Sequence, residues 1–463
     1  MEIQQIKSVY FVGAGGIGMS ALVRFFLANG KHVAGYDRTP SELTSSLIAE
    51  GADIHYEENA ELIPECCRDV ESTLVVYTPA IPADHAEMQW FRSRGFDMQK
   101  RAQVLGTLTA SLDGLCVAGT HGKTTTSAMT AYILDGTESG CNAFLGGILK
   151  NTRSNLMISH SSTQVVIEAD EFDRSFHWLR PLRSVITAID ADHLDIYGTY
   201  ENYLESFRHY ASLIREGGDL VLRYGLEEKL NPQLQKGVRL WSYSADKGDF
   251  HAENIRIGNG GITIDFVSPL GNIPNVSLGV PMAVNIENGV AAMALAQLSG
   301  ADADVIRSRM ATFGGTDRRF DFHLRTDSKV YISDYAHHPA ELRQCAVSVR
   351  TLYPDRRITA LFQPHLYTRT RDFYRDFAES LSLFDEVWLL DIYPAREQPI
   401  PGVTSALVAE NIKNGVYRGT VSLKEVPELV RRIAGEVEVL LTVGAGDLDN
   451  LADTITGILK EKI

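Results

Sequence analysis

A glycine-rich segment carrying one lysine and three threonines has the residue types needed to bind phosphate groups. It reads Gly119-Thr120-His121-Gly122-Lys123-Thr124-Thr125-Thr126, follows a short apolar run and precedes a helical pattern. In such a loop, backbone N–H groups surround the phosphates, the lysine neutralises their terminal oxygens and the next hydroxyl reaches Mg²⁺. The glycines stand closer together than in the usual phosphate-binding loop, yet the flanking strand and helix favour phosphate binding over an ordinary surface turn.

Two acidic clusters come directly after apolar runs and could bind a metal ion. They read Glu168-Ala-Asp-Glu-Phe-Asp173 and Asp190-Ala-Asp192-His193-Leu-Asp195. Carboxylates suit Mg²⁺, which keeps several waters and takes only one or two protein ligands. We therefore expect most of these acids not to be ligands. Their position at two strand ends beside a phosphate-binding loop nevertheless favours a metal site over solvated surface.

Another glycine-rich segment fits the pattern G-x-G-x-x-G. In chain order, the segment from Gly119 to Thr126 is the second glycine loop and this one is the first. It comprises Gly13, Ala14, Gly15, Gly16, Ile17 and Gly18, and lies between an apolar run and a helical pattern over residues 19–28. The glycines permit a tight turn and the close approach of a diphosphate to the helix N-terminus. Asp37 ends the next apolar run, where in a dinucleotide site an acid holds ribose hydroxyls. The pattern indicates a nucleotide diphosphate without separating NAD from a UDP-sugar.

Short, mostly apolar runs alternate with helical patterns along nearly the whole chain. Strands buried on both faces have this composition and belong to parallel sheets covered by helices, which predicts an α/β fold. The runs lie at residues 9–12, 74–77, 115–118, 165–167, 185–188, 358–362, 387–390 and 439–443.

The length of 463 residues exceeds what one hydrophobic core supports, and three blocks can be separated. We predict a Rossmann-like domain over residues 1–107, a central domain with a mostly parallel sheet over 108–316, and a second Rossmann-like domain over 317–463. The central block also carries alternating patterns near residues 255–257 and 262–266, which predict additional strands.

Glycines and polar residues come directly after the predicted strands in all three blocks. In open parallel sheets, ligands bind beyond the carboxyl ends of the strands. We therefore expect each block to present a functional edge and the site to be shared between domains, with the third closing over the others. The residues at these ends are Gly13, Gly119, Glu168, Asp190, Asp334, His365, Asp391 and Gly444.

Composition excludes several classes of protein. The formal net charge of -15, from 44 basic and 59 acidic side chains, argues against binding to nucleic acid or to an anionic membrane. We read no signal peptide and no apolar run long enough to span a bilayer. The five cysteines lack the spacing of a disulfide framework or zinc site. These features predict a cytoplasmic protein with reduced thiols.

Taken together, the motifs resemble the Mur ligase family over essentially the whole chain, and in particular its alanine-adding branch. The resemblance implies ATP-dependent ligation of L-alanine to UDP-N-acetylmuramate in peptidoglycan precursor synthesis, through an acyl phosphate, by a monomer or homodimer. The first domain would bind the UDP-sugar, the central domain ATP and the last the amino acid. The most specific motifs are Gly119-Thr-His-Gly-Lys-Thr-Thr, Glu168-Ala-Asp-Glu, Asp192-His-Leu-Asp, Gly315-Thr-Asp-Arg-Arg-Phe-Asp321, Asp334-Tyr-Ala-His-His-Pro339 and Phe362-Gln-Pro-His-Leu-Tyr-Thr-Arg-Thr-Arg-Asp372.

The resemblance also implies roles for individual residues. The catalytic residues would be Lys123, Glu168, His193, His365 and Arg369, the last two beside the alanine. ATP would contact Gly119, Thr120, His121, Gly122, Lys123, Thr124, Thr125, Asn288, Arg318 and Asp334. The Mg²⁺ ligands would be Thr124, Glu168 and His193. The UDP-sugar would contact Gly13, Ala14, Gly15, Gly16, Ile17, Gly18 and Asp37.

Three positions depart from relatives. Val284 stands where a histidine is common, Leu366 stands where many have arginine, and Tyr203-Leu-Glu-Ser-Phe207 lacks the lysine that other branches carbamylate. The last absence also occurs in the alanine-adding branch. Three alternative functions stay open: a murein-tripeptide ligase of wall recycling, an NAD-dependent oxidoreductase built on the first glycine loop, and a nucleotide-controlled switch protein.

Overall fold

The computed structural model describes residues 5–78, 81–82, 84–191, 194–258, 260–317, 320–395 and 397–462. The chain forms two compact units. The first comprises Met1–Glu253, Asp265–Val276 and Glu287–Phe313, and the second comprises Asn254–Ile264, Ser277–Ile286 and Gly314–Ile463. The domain boundaries at residues 107 and 316 stay predictions.

The first unit begins with a five-stranded parallel sheet in the order β3-β2-β1-β4-β5. Its strands are β1 (Ser8–Val12), β2 (His32–Tyr36), β3 (Asp53–His55), β4 (Thr73–Tyr77) and β5 (Asp97–Lys100). Its helices are α1 (Ile17–Ala28), α2 (Glu42–Ala49), α3 (Ala86–Ser93) and α4 (Arg101–Ser111). The strand order reverses between β1 and β4, so the loop after β1 opens at the crevice where open α/β sheets bind ligands.

A seven-stranded sheet follows, in the order β12-β11-β10-β6-β9-β7-β8. All neighbours pair in parallel except β7 and β8. Its strands are β6 (Asp113–Ala118), β7 (Asn142–Leu149), β8 (Ser154–Met157), β9 (Gln164–Glu168), β10 (Arg183–Ile186), β11 (Asp219–Arg223) and β12 (Arg239–Tyr243). Because β6 lies between β9 and β10, the second glycine loop and both acidic clusters leave the sheet side by side.

The helices of this part of the chain are α5 (Lys123–Asp135), α6 (Leu194–Tyr197), α7 (Tyr200–Ser212), α8 (Glu227–Leu230), α9 (Val284–Leu298) and α10 (Ala303–Thr312). A three-stranded sheet consists of β13 (His251–Gly258), β14 (Gly261–Val267) and β15 (Ile273–Ser277). Along β14, buried and half-buried residues alternate, as the period of two in a strand requires. The strands predicted near residues 255 and 262 are confirmed.

The second unit carries a six-stranded sheet in the order β16-β17-β21-β18-β19-β20, antiparallel only between β16 and β17. Its strands are β16 (Asp321–Arg325), β17 (Val330–Asp334), β18 (Ile358–Phe362), β19 (Glu386–Leu390), β20 (Tyr417–Val421) and β21 (Val439–Val443). Its helices are α11 (Pro339–Leu352), α12 (Tyr367–Leu381), α13 (Ser405–Ala409), α14 (Val426–Ile433) and α15 (Ala452–Lys460). The strands β17 and β18 flank β21, which brings the segments after Asp334 and Phe362 to one edge.

The apolar runs form the central strands, and β1, β18 and β21 are buried along their whole length. The α/β class with three predominantly parallel sheets is confirmed. All five cysteines are free, and four of them are buried. Within the described ranges, no helix combines the length and apolar character needed to cross a membrane.

Candidate functional site

The first glycine loop forms a tight turn at the end of β1. Gly13 has φ +93°, and its N–H and that of Ala14 both donate to the Tyr36 carbonyl oxygen, at 2.8 and 3.0 Å. A Cβ on Gly13 would come within 2.5 Å of the Thr78 methyl group. The turn therefore requires glycine for both its backbone conformation and its packing.

Asp37, at the end of β2, fastens this loop through backbone hydrogen bonds. One carboxylate oxygen accepts from the Gly15 N–H at 2.6 Å, and the other accepts from the Thr39 N–H at 3.1 Å. A Cβ on Gly15 would lie 2.9 Å from the same carboxylate. Asp37 thus shapes the loop directly, and its contact with a ribose stays a prediction.

The helix α1 starts immediately after this turn and carries Gly18 in its first turn. Gly16 is the N-cap and supplies no side-chain bond, which leaves the first N–H groups of the helix for a ligand. The side chain of Ile17 lies outside the described part of the structure. Arg101, the first residue of α4, donates through Nε to the Gly18 carbonyl oxygen at 3.2 Å. Sequence patterns did not single out Arg101.

The second glycine loop joins β6 to α5 through two left-handed glycines. Gly119 has φ +128°, and a Cβ there would lie 2.2 Å from the Thr187 hydroxyl oxygen. Gly122 has φ +83° and is the N-cap of α5, and a Cβ there would lie 2.7 Å from the Asn288 amide oxygen. The fold therefore brings Asn288 against the loop, although it lies more than 160 positions further along the chain.

The segment after β10 and helix α7 both contact the same loop. The Thr120 hydroxyl lies 3.1 Å from the Asp190 carbonyl oxygen and 3.0 Å from the Tyr203 hydroxyl. His121 Nε2 lies 3.9 Å from an Asp190 carboxylate oxygen, but both side chains are about two-thirds exposed, at 69% and 66%. An exposed pair at this distance contributes little. Thr125 lies in the first turn of α5.

The amino group of Lys123 is held between the loop backbone and a buried acid. Its Nζ donates to the Gly119 carbonyl oxygen at 2.6 Å and to Glu171 Oε1 at 2.9 Å. The Glu171 backbone carbonyl accepts from the Tyr197 hydroxyl at 2.5 Å. Glu171 was not among the predicted site residues, because four carboxylates within six positions gave no signal to single it out.

Glu168, at the end of β9, has the environment expected of a metal ligand. Its Oε1 accepts from the Thr124 hydroxyl at 3.0 Å, whereas its buried Oε2 has no hydrogen-bond partner within the described residues. Burial raises the pKa of Glu168, while the Lys123 charge and the Thr124 hydrogen bond lower it. A buried carboxylate oxygen without a partner beside a threonine hydroxyl fits the oxygen ligands of Mg²⁺.

Two predicted residues of the nucleotide site lie outside the described residues. His193, expected to bind a second Mg²⁺ ion, follows β10 by only a few positions. Arg318, expected to contact ATP, precedes β16. Both assignments stay predictions.

Asp334, at the end of β17, accepts backbone hydrogen bonds on both oxygens. The Phe320 N–H donates to Oδ2 at 2.8 Å, and the Ala336 N–H donates to Oδ1 at 2.7 Å. Phe320 adopts φ +46°, which is unfavourable for a bulky side chain. The carboxylate therefore organises the turn that follows its strand, and its contact with ATP stays a prediction.

His365 and Arg369 lie together after β18, one helical turn apart. Arg369 Nη1 lies 3.2 Å from His365 Nδ1, and the His365 ring stacks on Tyr393 with centroids 5.7 Å apart. Burial lowers the pKa of His365, and the charges of Arg369 and His337 lower it further. The imidazole is therefore neutral at pH 7 and accepts the hydrogen bond from Arg369 through Nδ1.

The surroundings of Arg369 differ from those of a surface ion pair. The nearby Asp372 pairs with Arg371 instead, at 2.7 Å, and both of those side chains are about half exposed. The His337 ring lies 5.8 Å from the His365 ring, so the segments after β17 and β18 meet. The fold thus gathers a cationic group and two imidazoles at one edge of the sheet in the second unit.

Two of the departures from the family pattern have clear structural positions. Leu366 is the N-cap of α12 with φ +69°, and its N–H donates to the Tyr393 carbonyl oxygen at 2.9 Å. It adds no charge beside His365. Val284 is the first residue of α9, and the following Asn285 donates its side-chain amide to the Val280 carbonyl oxygen at 3.1 Å.

Three family models match consecutive parts of the chain. The Mur ligase family catalytic domain matches residues 8–112, the Mur ligase middle domain matches 117–296, and the Mur ligase glutamate ligase domain matches 318–446.

Relatives with curated names match over the full length. The UDP-N-acetylmuramate–L-alanine ligase of Phocaeicola vulgatus is 62% identical over 462 residues, covering 100% of both chains. That of Parabacteroides distasonis is 58% identical over 465 residues, covering 100% of this chain and 99% of the relative. Among solved structures, the UDP-N-acetylmuramate-alanine ligase of Thermotoga maritima has a TM-score of 0.76 at 26% identity, covering 98% of this chain and 100% of that one. A murein peptide ligase from Psychrobacter arcticus has a TM-score of 0.62 at 20% identity, covering 99% of each chain.

Proposed function

The chain belongs to the Mur ligase family, and we propose that it joins L-alanine to the carboxylate of UDP-N-acetylmuramate while converting ATP to ADP and phosphate. This reaction adds the first amino acid to a peptidoglycan precursor. The observation that carries the proposal is the end-to-end identity of 62% with a relative of that name. The placement of Lys123, Thr124 and Glu168 around one loop supports the nucleotide chemistry.

The reaction needs activation because a carboxylate has no adequate leaving group for an attacking amine. Transfer of the γ-phosphoryl group of ATP to a carboxylate oxygen forms an acyl phosphate and releases ADP. The neutral amine of L-alanine then attacks the acyl carbon and loses a proton, and the bond to phosphate breaks. The products are an amide, ADP and phosphate.

The residues after β6 and β9 place and neutralise the phosphate groups. Lys123 would exchange its bond to Glu171 for phosphate oxygens, and the Gly119–Gly122 turn would present backbone N–H groups to them. Thr124 and Glu168 would hold Mg²⁺, because Glu168 Oε2 is a buried oxygen without a hydrogen-bond partner among the described residues, and such an ion binds oxygen ligands. Bound Mg²⁺ supplies further charge neutralisation during phosphoryl transfer. By resemblance, we also assign contacts with ATP to Asn288 and Arg318, and a second Mg²⁺ ion to His193.

We assign recognition of L-alanine to His365 and Arg369. The Arg369 guanidinium keeps donors beyond its bond to His365 and can bind the amino-acid carboxylate as a fork. The neutral imidazole fixes the orientation of that guanidinium. Since Leu366 brings no second cation, Arg369 carries more of this contact than in relatives that have arginine there.

The proposal also covers the site of action and the assembly. UDP-sugars and ATP are intracellular metabolites, so we place the reaction in the cytoplasm. We propose a monomer or a homodimer, which light scattering at several protein concentrations distinguishes.

Product analysis tests the function. Purified protein is incubated with ATP, Mg²⁺, UDP-N-acetylmuramate and single amino acids, and the products are identified by mass spectrometry. We expect the L-alanyl adduct with one ADP released per amide, formed more slowly by on the order of 10² or more with the Lys123→Ala variant. Ligation of an intact murein tripeptide in preference to L-alanine would reassign the chain to wall recycling. Tight NAD binding with hydride transfer would favour an oxidoreductase.

A further inference from the structure

Arg101 is a cation with most of its hydrogen-bonding capacity unused. It follows β5 directly and opens α4, the helix that connects the first sheet to the second. Its Nε donates to the Gly18 carbonyl oxygen at 3.2 Å. A Cβ on Gly18 would lie 2.7 Å from that Nε and 2.8 Å from Cζ, so the guanidinium packs directly against the glycine. The four N–H bonds of its two Nη groups have no partner within the described residues.

The guanidinium of Arg101 also lacks a contacting carboxylate among the described residues. No carboxylate oxygen lies within 4.0 Å of its nitrogens in the part of the chain that the structure describes. Some other partly buried arginines have such a partner: Arg183 contacts Asp219 at 3.2 Å, and Arg223 contacts Glu287 at 2.8 Å. Burying a charge without a counter-ion is costly, which indicates that an anion arrives with the substrate.

The location of Arg101 narrows the identity of that anion. The guanidinium contacts Gly18, within the loop proposed to bind the UDP-sugar. The adjoining Lys100 contacts Asp173 of the first acidic cluster at 3.7 Å. The charges of Asp170 and Glu168 raise the pKa of Arg101, while burial lowers it more. The guanidinium therefore touches the sugar-nucleotide loop and is within electrostatic reach of the carboxylate proposed to hold Mg²⁺. A carboxylate that accepts a phosphoryl group has to reach this region.

We propose that Arg101 binds the sugar-nucleotide carboxylate that becomes activated, and then its acyl phosphate, through the free Nη groups. The inference rests on the proposed function, since it presupposes an acidic sugar nucleotide. The diphosphate of the same substrate binds elsewhere, at the N-terminal N–H groups of α1. A two-pronged guanidinium contact orients a carboxylate as well as neutralising it, and lysine cannot reproduce that geometry.

Two ligands that differ at the carboxylate provide the test. UDP-N-acetylmuramate and UDP-N-acetylglucosamine share the uridine, the diphosphate and the amino sugar, but only the first carries the acid. Affinities of both are measured by calorimetry, or by competition with uridine diphosphate, for the wild type, Arg101→Gln and Arg101→Lys. We expect Arg101→Gln to weaken the acidic ligand by about 10- to 100-fold and the neutral one by less than about threefold. For Arg101→Lys, we expect an affinity for the acidic ligand between those of the wild type and Arg101→Gln.

The matched control is Lys100→Ala. Lys100 precedes Arg101 and pairs with Asp173 at 3.7 Å, and both side chains are roughly half exposed. We expect this variant to bind both ligands as the wild type does. Equal losses for the two ligands in Arg101→Gln would overturn the proposal and leave Arg101 as a brace for the Gly18 loop.

A second measurement follows the activated carboxylate. With ATP present and alanine absent, hydroxylamine traps an acyl phosphate as a hydroxamate. Arg101→Gln is expected to lower this yield at saturating sugar nucleotide while leaving the Kd of ATP within about threefold. An unchanged hydroxamate yield would also overturn the proposal. Failure of the wild type itself to form the hydroxamate or the alanyl product would instead contradict the proposed function, whatever Arg101 does.

Discussion

The amino group of Lys123 lies 2.8 Å from Glu171 Oε2, and the Glu171 side chain is only 1% exposed. The lysine belongs to the phosphate-binding loop, and the acid comes from the segment after β9, 48 positions later. In this arrangement, the lysine charge is balanced within the protein. An incoming phosphate therefore has to compete with Glu171, so this acid influences both the stability of the empty loop and its affinity for nucleotide.

Replacing Glu171 should strengthen the response of the protein to nucleotide. Glu171→Gln leaves the partly buried Lys123 without a counter-ion, which we expect to cost on the order of 2 kcal/mol of unfolding free energy without ligand. ATP or ADP with Mg²⁺ restores a partner, so the nucleotide-induced rise in Tm should exceed that of the wild type. Thermal unfolding with and without nucleotide measures this. The control is Asp173→Asn, which replaces an exposed acid of the same cluster. An equal nucleotide-induced rise in Tm for the wild type, Glu171→Gln and Asp173→Asn would contradict competition between Glu171 and phosphate.

The phosphate and metal groups should both be needed for turnover. Lys123→Ala and Glu168→Ala each remove charge stabilisation during phosphoryl transfer, so we expect each to lower kcat by on the order of 10² or more. Glu168→Ala should also raise the Mg²⁺ concentration needed for half-maximal rate. Steady-state ADP release measures both effects. Near-normal turnover in either variant would remove that residue from its assigned role.

Replacing Arg369 should impair the use of alanine and leave the affinity for ATP nearly unchanged. Arg369→Ala removes the guanidinium beside His365, so the KM for alanine should rise and kcat fall, while the Kd of ATP changes by less than about threefold, roughly 0.7 kcal/mol. Arg371→Ala is the matched control, because Arg371 lies two positions away and pairs with Asp372, with both side chains about half exposed. Kinetics that are the same in the two variants would indicate a surface role for Arg369.

A buried acid on helix α3 should make stability depend on pH. Glu87 is fully buried, and burial raises its pKa to about 7 from its ordinary value of 4.5, although hydrogen bonds from the Tyr10 hydroxyl and the Asn59 N–H oppose the rise. The neighbouring Glu58 raises it further, and His55 Nε2 lies 3.7 Å from Oε1.

Because the folded-state pKa is raised, this contribution to stability is complete below about pH 4.5 and is lost as the pH rises through about 7. Glu87→Gln has no titrating group at this position. Its unfolding free energy relative to the wild type should therefore rise between pH 5 and 8, by up to about 3 kcal/mol, and its Tm should rise with it. Thermal unfolding across that range gives the difference. Glu71→Gln, at an exposed site, is the control, and a pH-independent difference for Glu87→Gln would rule out the assignment.

Local sequence determined the α/β class, the strands that consist of apolar runs and both glycine loops. These features depend on short-range properties: a strand buried on both faces needs a continuous apolar run, and a tight turn needs glycine where φ is positive. Gly13, Gly119 and Gly122 all have positive φ, which glycine adopts without steric cost. The phosphate loop was recognisable because its glycines, lysine and threonine are contiguous in sequence.

Only the tertiary structure decided which of the many acids and cations contact the two glycine loops. Glu171 is distinguished from its acidic neighbours by its burial against Lys123, and Arg101 by its contact with Gly18, 83 positions earlier. Such pairs depend on strand order and on which helix crosses from one sheet to the next, and neither leaves a periodic trace in the sequence. Burial and charge balance are properties of the packed chain, so the partners of Lys123 and Arg101 emerge only when the sheets are assembled.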